Sequence, residues 1–167
     1  MFRALEPQDI ECRVGVCKES GVSLLLYKTA RVDADILDER FGPMGWQCNF
    51  EDHKGTLFCN VGIMADDGTW VWKGDAGAPS NMEAEKGEAS DAFKRACFKW
   101  GIGRELYTAP FIWVPSNRCE IGKGRNDKLV CNTRFAVTKV AIDNGRLTGI
   151  RIVNADAGTV VYSWKAE

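Results

Sequence analysis

The chain has 167 residues, 45% of them hydrophobic and 27% charged, with a formal net charge of −1. This composition is globular, the length favours one domain with a sizeable core, and the near-neutral total argues against a generally basic nucleic-acid binder while leaving local fields open. No apolar run nears the roughly 20 residues of a membrane-spanning helix, and the opening MFRALEPQDIECR lacks a hydrophobic signal segment; a soluble intracellular protein is expected.

The first predicted element is a strand over Val22 to Tyr27, an apolar run. VDADILDERFG follows, with Ile36, Leu37 and Phe41 at helical spacing before a Gly42-Pro43 stop. GWQCNF, TLFCNVGIM and TWVWKGDAG then read as strands, the last two joined by the turn Asp66-Asp67-Gly68, and together they form an antiparallel meander. His53, in NFEDHKGT, is placed in a solvated turn.

Met82 to Trp100 is the longest predicted helix, its stripe of Ala89, Phe93, Ala96 and Trp100 laid across the meander. Beyond Pro110 come the strand FIWV, a polar Gly-rich loop from Pro115 to Lys128 that is the only linker candidate, and then RFAVTKVAI, RLTGIRIV and TVVYSW. The first two of these flank the turn Asp143-Asn144-Gly145, so the tail reads as a second three-stranded antiparallel sheet or ribbon. The expected class is α+β: an antiparallel β-meander packed on one long helix, β-β-β-α, with a C-terminal β-rich extension. Residues 1–114 form the core, and 115–167 the β-hairpin extension packed on or next to it.

The seven cysteines contain no CxxC pair, and with one histidine they read as reduced, mostly packed thiols rather than a metal site. Charge is unevenly spread. Residues 1–110 carry 13 Lys+Arg against 18 Asp+Glu, net −5, leaving 9 against 5, net +4, for residues 111–167.

Within the long helix Glu83, Glu85, Glu88 and Asp91 precede Lys94, Arg95 and Lys99, with Arg104 just beyond. The macrodipole favours this order in any helix, and Asp91 and Arg95 stand at i,i+4 spacing. Lys94 and Arg95, however, point about 100° apart, so one Asp91 cannot neutralise both. Gly101 and Gly103 allow close backbone approach as well as helix termination. A cationic helix end beside backbone N–H groups suits a string of phosphates.

The order LYKTARVDADILDERFGPMGW, a meander, then EKGEASDAFKRACFKWGIGRELY resembles the Rad52/Rad22 family of single-strand annealing proteins, including its bacteriophage members. The likeness covers about Leu24 to Tyr107, half the chain. Its most specific parts are Phe41-Gly42 with Gly45-Trp46, and Lys94-Arg95-Ala96 with Gly101. The resemblance implies a β-β-β-α core assembled into a ring or filament, with single-stranded DNA in a positively charged groove lined by Lys94 and Arg95. A further family contact is an arginine at the start of the short helix, where alignment puts Val32, with Arg31 one residue earlier.

The expected function is therefore ATP-independent annealing of complementary strands in homologous recombination and double-strand break repair, by an oligomeric single-stranded DNA-binding protein. Expected DNA contacts are Lys94, Arg95, Lys99, Arg104, Arg31, Lys86 and Lys73. Annealing makes and breaks no covalent bond, so neither catalytic residue nor cofactor nor metal is expected; no GxxxxGK[ST] loop occurs. Expected partners are single-stranded DNA, further copies of the chain and a host single-strand-binding protein, in the cytoplasm of a bacterium or phage-infected cell. Recruitment through a disordered tail is not expected, because the chain ends in predicted strands. Trp46, Trp70, Trp72, Trp100, Trp113 and Trp164 are assigned to core or protomer packing rather than base stacking. The competing readings are a metal-dependent nuclease using Asp75, Glu83 and Glu85, and a nucleic-acid-binding module that does not anneal.

Overall fold

Tight turns between short, β-branched and aromatic runs dictate antiparallel sheets, and the described residues form three of them with two α-helices. The computed structural model describes residues 2–78 and 84–166, with the side chains of all but 84–86. In chain order the elements are β1 (Glu11–Lys18), β2 (Gly21–Tyr27), α1 (Ala30–Phe41), β3 (Trp46–His53), β4 (Thr56–Met64), β5 (Trp70–Ala76) and α2 (Ala84–Trp100). They continue with β6 (Ile112–Pro115), β7 (Ile121–Lys123), β8 (Leu129–Cys131), β9 (Phe135–Asp143), β10 (Arg146–Asn154) and β11 (Val160–Lys165). Two compact units interleave in sequence, one formed by residues 1–3 and 29–103, the other by 4–28 and 104–167.

In the first unit Thr29 caps α1 by accepting from the Val32 N–H, and Gly42, at φ 73°, ends it. Ile36 and Leu37 are buried as the helical spacing predicts. The meander has the order β3-β4-β5. Pairing of Cys48 with Val61 and of Val61 with Lys73 puts Cys59, Val61 and Ile63 on one face with Lys73 and Asp75. Those three β4 side chains are buried, and on α2 so are Ala92, Phe93, Ala96 and Cys97. Trp100 donates its indole N–H to the Val61 carbonyl at 3.0 Å, and Phe93 meets Trp46 with ring centroids 5.9 Å apart. The helix therefore lies against β4 and β5, as its apolar stripe requires; Met82, taken as its start, lies outside the described residues.

The opposite sheet face carries Trp70 and Trp72, centroids 6.1 Å apart. Trp72 lies over Gly62, where an added Cβ would stand 2.9 Å from the ring; glycine lets the indole lie flat across the strand. Trp72 is still 41% exposed, so it packs only on one side. His53 ends β3 rather than sitting in the turn, and meets Phe58 edge-on, with the turn itself at Lys54-Gly55.

The second unit corrects the predicted tail. Its strands do form an antiparallel run, with Asn144 and Gly145 at positive φ in the turn between β9 and β10. They are not a separate three-stranded sheet. The order β11-β10-β9-β1-β2-β6 makes them half of a six-stranded sheet completed by β1, which the sequence reading lacks. Likewise the predicted loop at Pro115 to Lys128 contains β7, whose pairing with β8 makes a small hairpin.

None of the seven cysteines is in a disulfide. Cys59 donates its S–H to Cys48, which stabilises the Cys48 thiolate and lowers that pKa to about 7, while the same bond and burial hold Cys59 as the thiol. No described helix is long and apolar enough to cross a membrane.

Candidate nucleic-acid interface

Helical geometry sorts the cations of α2 by direction. At 100° per residue, Ala92 and Ala96 mark the face toward the sheet, with Arg95 and Lys99 flanking it on one side and Phe93, Cys97 and Trp100 on the other. Lys94 lies about 160° round from Ala96 and so points away from the sheet. Lys94 and Arg95 consequently have different surroundings despite being adjacent.

Arg95 and Lys99 turn toward β5. Their nitrogens stand 3.7 and 3.6 Å from the two carboxylate oxygens of Asp75. Lys99 also donates to the Gly74 carbonyl at 2.7 Å. Both cationic side chains remain about half exposed, at 53% and 48%, so each ion pair contributes at most about 1 kcal/mol. Asp75 thus orients these cations without removing them from solvent. Lys73 is more firmly held: its ammonium lies 4.3 Å from the centre of the Trp100 ring and donates to the Lys99 carbonyl at 3.3 Å. It therefore complements the negative end of the helix. Lys94, half-buried, makes no ion pair or hydrogen bond to a described side chain.

The predicted Asp91–Arg95 pair is not formed. Asp91 instead accepts the Ala78 N–H at 3.1 Å, and Glu88 accepts that of Leu57 at 3.3 Å. Both carboxylates tie the start of α2 to the sheet, which leaves Arg95 to Asp75. The expectation of exposed N–H groups beyond the helix also needs correction. Gly101, at φ 106°, donates to the Phe98 carbonyl and Ile102 to that of Cys97. This is a Schellman cap. Gly101 therefore stops the helix, and the two N–H groups are used by the helix itself.

The remaining predicted contacts are dispersed. Arg31 is exposed in the first turn of α1, while Val32, at the aligned position, is half-buried. Arg104 opens a 3-10 turn of the second unit and is exposed. The Lys86 side chain lies outside those described, as do Glu83 and the Glu85 side chain of the nuclease reading; the third residue of that set, Asp75, is engaged with two cations. Its role as their counter-ion was missed because nothing local to KGDAG links it to a helix some twenty residues on.

A phosphate approaching Arg95 and Lys99 would have to displace Asp75. Replacing it by asparagine, as Asp75→Asn, is expected to raise single-strand affinity several-fold and, with two half-exposed ion pairs lost, to change unfolding free energy by less than about 2 kcal/mol. A titration with labelled oligonucleotide reads the first, chemical denaturation the second; weaker binding would mean that Asp75 holds the cations in their working positions.

In comparison with known proteins, the family model described as Rad52/22 family double-strand break repair protein matches residues 1–121. No curated protein gives a significant match.

Proposed function

The chain belongs to the Rad52/22 family of double-strand break repair proteins, and we propose that it binds single-stranded DNA along α2 and anneals complementary strands in homologous recombination, without ATP. The observation that carries this reading is the pair Lys94-Arg95 inside the family match: one cation directed away from the sheet with no described partner, the other half exposed beside a weakly held carboxylate. A phosphate supplies the anion that Lys94 lacks and takes the place of Asp75 at Arg95. Lys99 extends the cationic edge, and Lys73 adds charge from its fixed place on Trp100. Arg31, Arg104 and Lys86 are proposed as further phosphate contacts.

The mechanism needs no reacting group. Cations that grip only phosphates leave base edges outward, so two held strands can test register until pairing and stacking, about 1.4 kcal/mol per step, take over. Repetition of the site is part of the proposal, because few cations per chain bind a long strand tightly only when copies stand side by side. In its support, neither β3 nor β5 pairs with another described strand on its outer edge, and Phe50, Met64, Val71 and Trp72 are exposed on this meander. Open edges with apolar side chains suit contact between copies. A host single-strand-binding protein remains a proposed partner, and the cytoplasm the proposed location.

The test is pairing of complementary oligonucleotides followed by fluorescence, without nucleotide or metal, with solution mass measured in parallel. Accelerated pairing by a multimer is the expected result. Unaccelerated pairing, or strand cleavage on adding Mg²⁺, would overturn the reading.

A further inference from the structure

The outward face of the tail strands holds cations that the α2 interface does not use. Register places Lys139 directly opposite Arg151, and Arg151 opposite Ser163. One step along the same face, Ala141 is opposite Gly149 and Gly149 opposite Lys165. Lys139, Ala141, Ser163 and Lys165 are exposed and Arg151 is half-buried, whereas Ile150, between the outward residues of β10, is 3% exposed. Three cations therefore stand on one side of three adjacent strands, around the small residues Ala141, Gly149 and Ser163.

Like charges directly opposite each other destabilise a sheet. No described carboxylate lies within ion-pair distance of Lys139, Arg151 or Lys165. The only acid in β9, β10 and β11 is Asp143, at the hairpin end opposite Arg146. A bulge sharpens the cluster: Lys139 pairs with Arg151 but Val137 with Ile152, so Thr138 is the extra residue, and its hydroxyl donates to the Arg151 carbonyl. Bulges re-aim side chains, and this one follows directly on the position where Lys139 stands opposite Arg151.

We propose that this face, Lys139, Arg151 and Lys165 with the Ser163 hydroxyl, is a second nucleic-acid site that binds the phosphodiester backbone. Three strands span about 10 Å, and a polynucleotide strand carries one charge per 3.4 Å of duplex axis, so the three cations match two or three successive phosphates. Ala141 and Ser163, both exposed, let the backbone approach the sheet without meeting a bulky side chain, while Gly149 between them is buried. No aromatic side chain of β9–β11 shares the outward positions of this cluster, and the one carboxylate on that side of β9, Asp143, stands at the hairpin end beyond Ala141. The site therefore grips backbone without reading bases. It is independent of Lys94 and Arg95, which stay intact in its test.

That test is the salt dependence of binding for the triple variant Lys139→Gln/Arg151→Gln/Lys165→Gln, measured by anisotropy with a labelled single strand and a labelled duplex. A control, Lys123→Gln/Arg125→Gln/Lys128→Gln, makes the same charge change on the small β7–β8 hairpin. Loss of three phosphate contacts makes the log-log salt slope shallower by about 2 for a single strand, or by about 2.7 for a duplex. Whichever ligand responds identifies what the face holds. Relief of the Lys139–Arg151 opposition also leaves the triple variant melting no lower than wild type. Unchanged slopes for both ligands, or an equal loss in the control, would overturn the proposal while leaving the α2 reading untouched.

Discussion

The double variant Lys94→Ala/Arg95→Ala is expected to bind single-stranded DNA at least about a hundredfold more weakly and to lose annealing activity. Hydrogen bonds to charged groups contribute about 1.5–3 kcal/mol each, so losing two phosphate contacts costs about 3–6 kcal/mol, and 1.4 kcal/mol is tenfold. Folding should barely register the change. The only described ion pair lost is the half-exposed one with Asp75, 3.7 Å long, and alanine is the better helix former. The single variants divide unequally. Lys94→Ala carries the larger share, because Arg95 must first leave Asp75 whereas Lys94 has no described partner to leave. Oligonucleotide titrations of the three variants, beside their melting curves, check this ordering; equal binding by the double variant would remove α2 from the interface.

Ala96→Leu attacks the same interface from beneath. Ala96 is fully buried, as is Ala92 one turn before it. No larger side chain fits there without moving the helix off β4 and β5, and overpacking of this kind costs about 1–3 kcal/mol. The variant is expected to melt several degrees lower and to anneal poorly, since the shifted helix carries Lys94, Arg95 and Lys99 out of alignment with Asp75 and Lys73. Differential scanning calorimetry with the pairing assay reads both. Wild-type stability would mean that α2 is not seated through its alanines.

Local chemistry made much of the first unit legible. Asp66-Asp67-Gly68 announces the β4–β5 hairpin, Ile36 and Leu37 the buried side of α1, and Phe93 and Ala96 the buried face of α2. What escaped is non-local or irregular. β1 reads ECRVGVCK, an alternation interrupted by Gly15 and by a register shift between Val14 and Cys17, so no clean period of two survives. Gly15 is there because Ser23 Oγ would stand 3.1 Å from an added Cβ, and that same Ser23 oxygen accepts the Val16 N–H at the bulge. Pairing of β1 with β9, through Glu11 and Ala136, leaves no trace in either segment, and without it the tail looks like a sheet of its own.

The interface divides in the same way. Lys94 and Arg95 stand out in sequence because adjacent cations diverge on a helix, and in the structure only Arg95 of the two has a described carboxylate partner. Which of them finds a carboxylate depends on where β5 lies, and Asp75 is invisible as a counter-ion until the sheet is built. Gly101 carries two meanings in sequence, a helix stop or a close approach to ligand; the paired N–H groups of Gly101 and Ile102 select the stop.

Lysine footprinting by amine acylation and mass spectrometry, with and without saturating single-stranded DNA, puts the central assignment to its most direct test. In the free protein half-buried Lys94 and the exposed Lys73 and Lys99 each set their own reference rate. DNA should then slow Lys94 strongly. A Lys94 rate unchanged by bound strand would contradict the account.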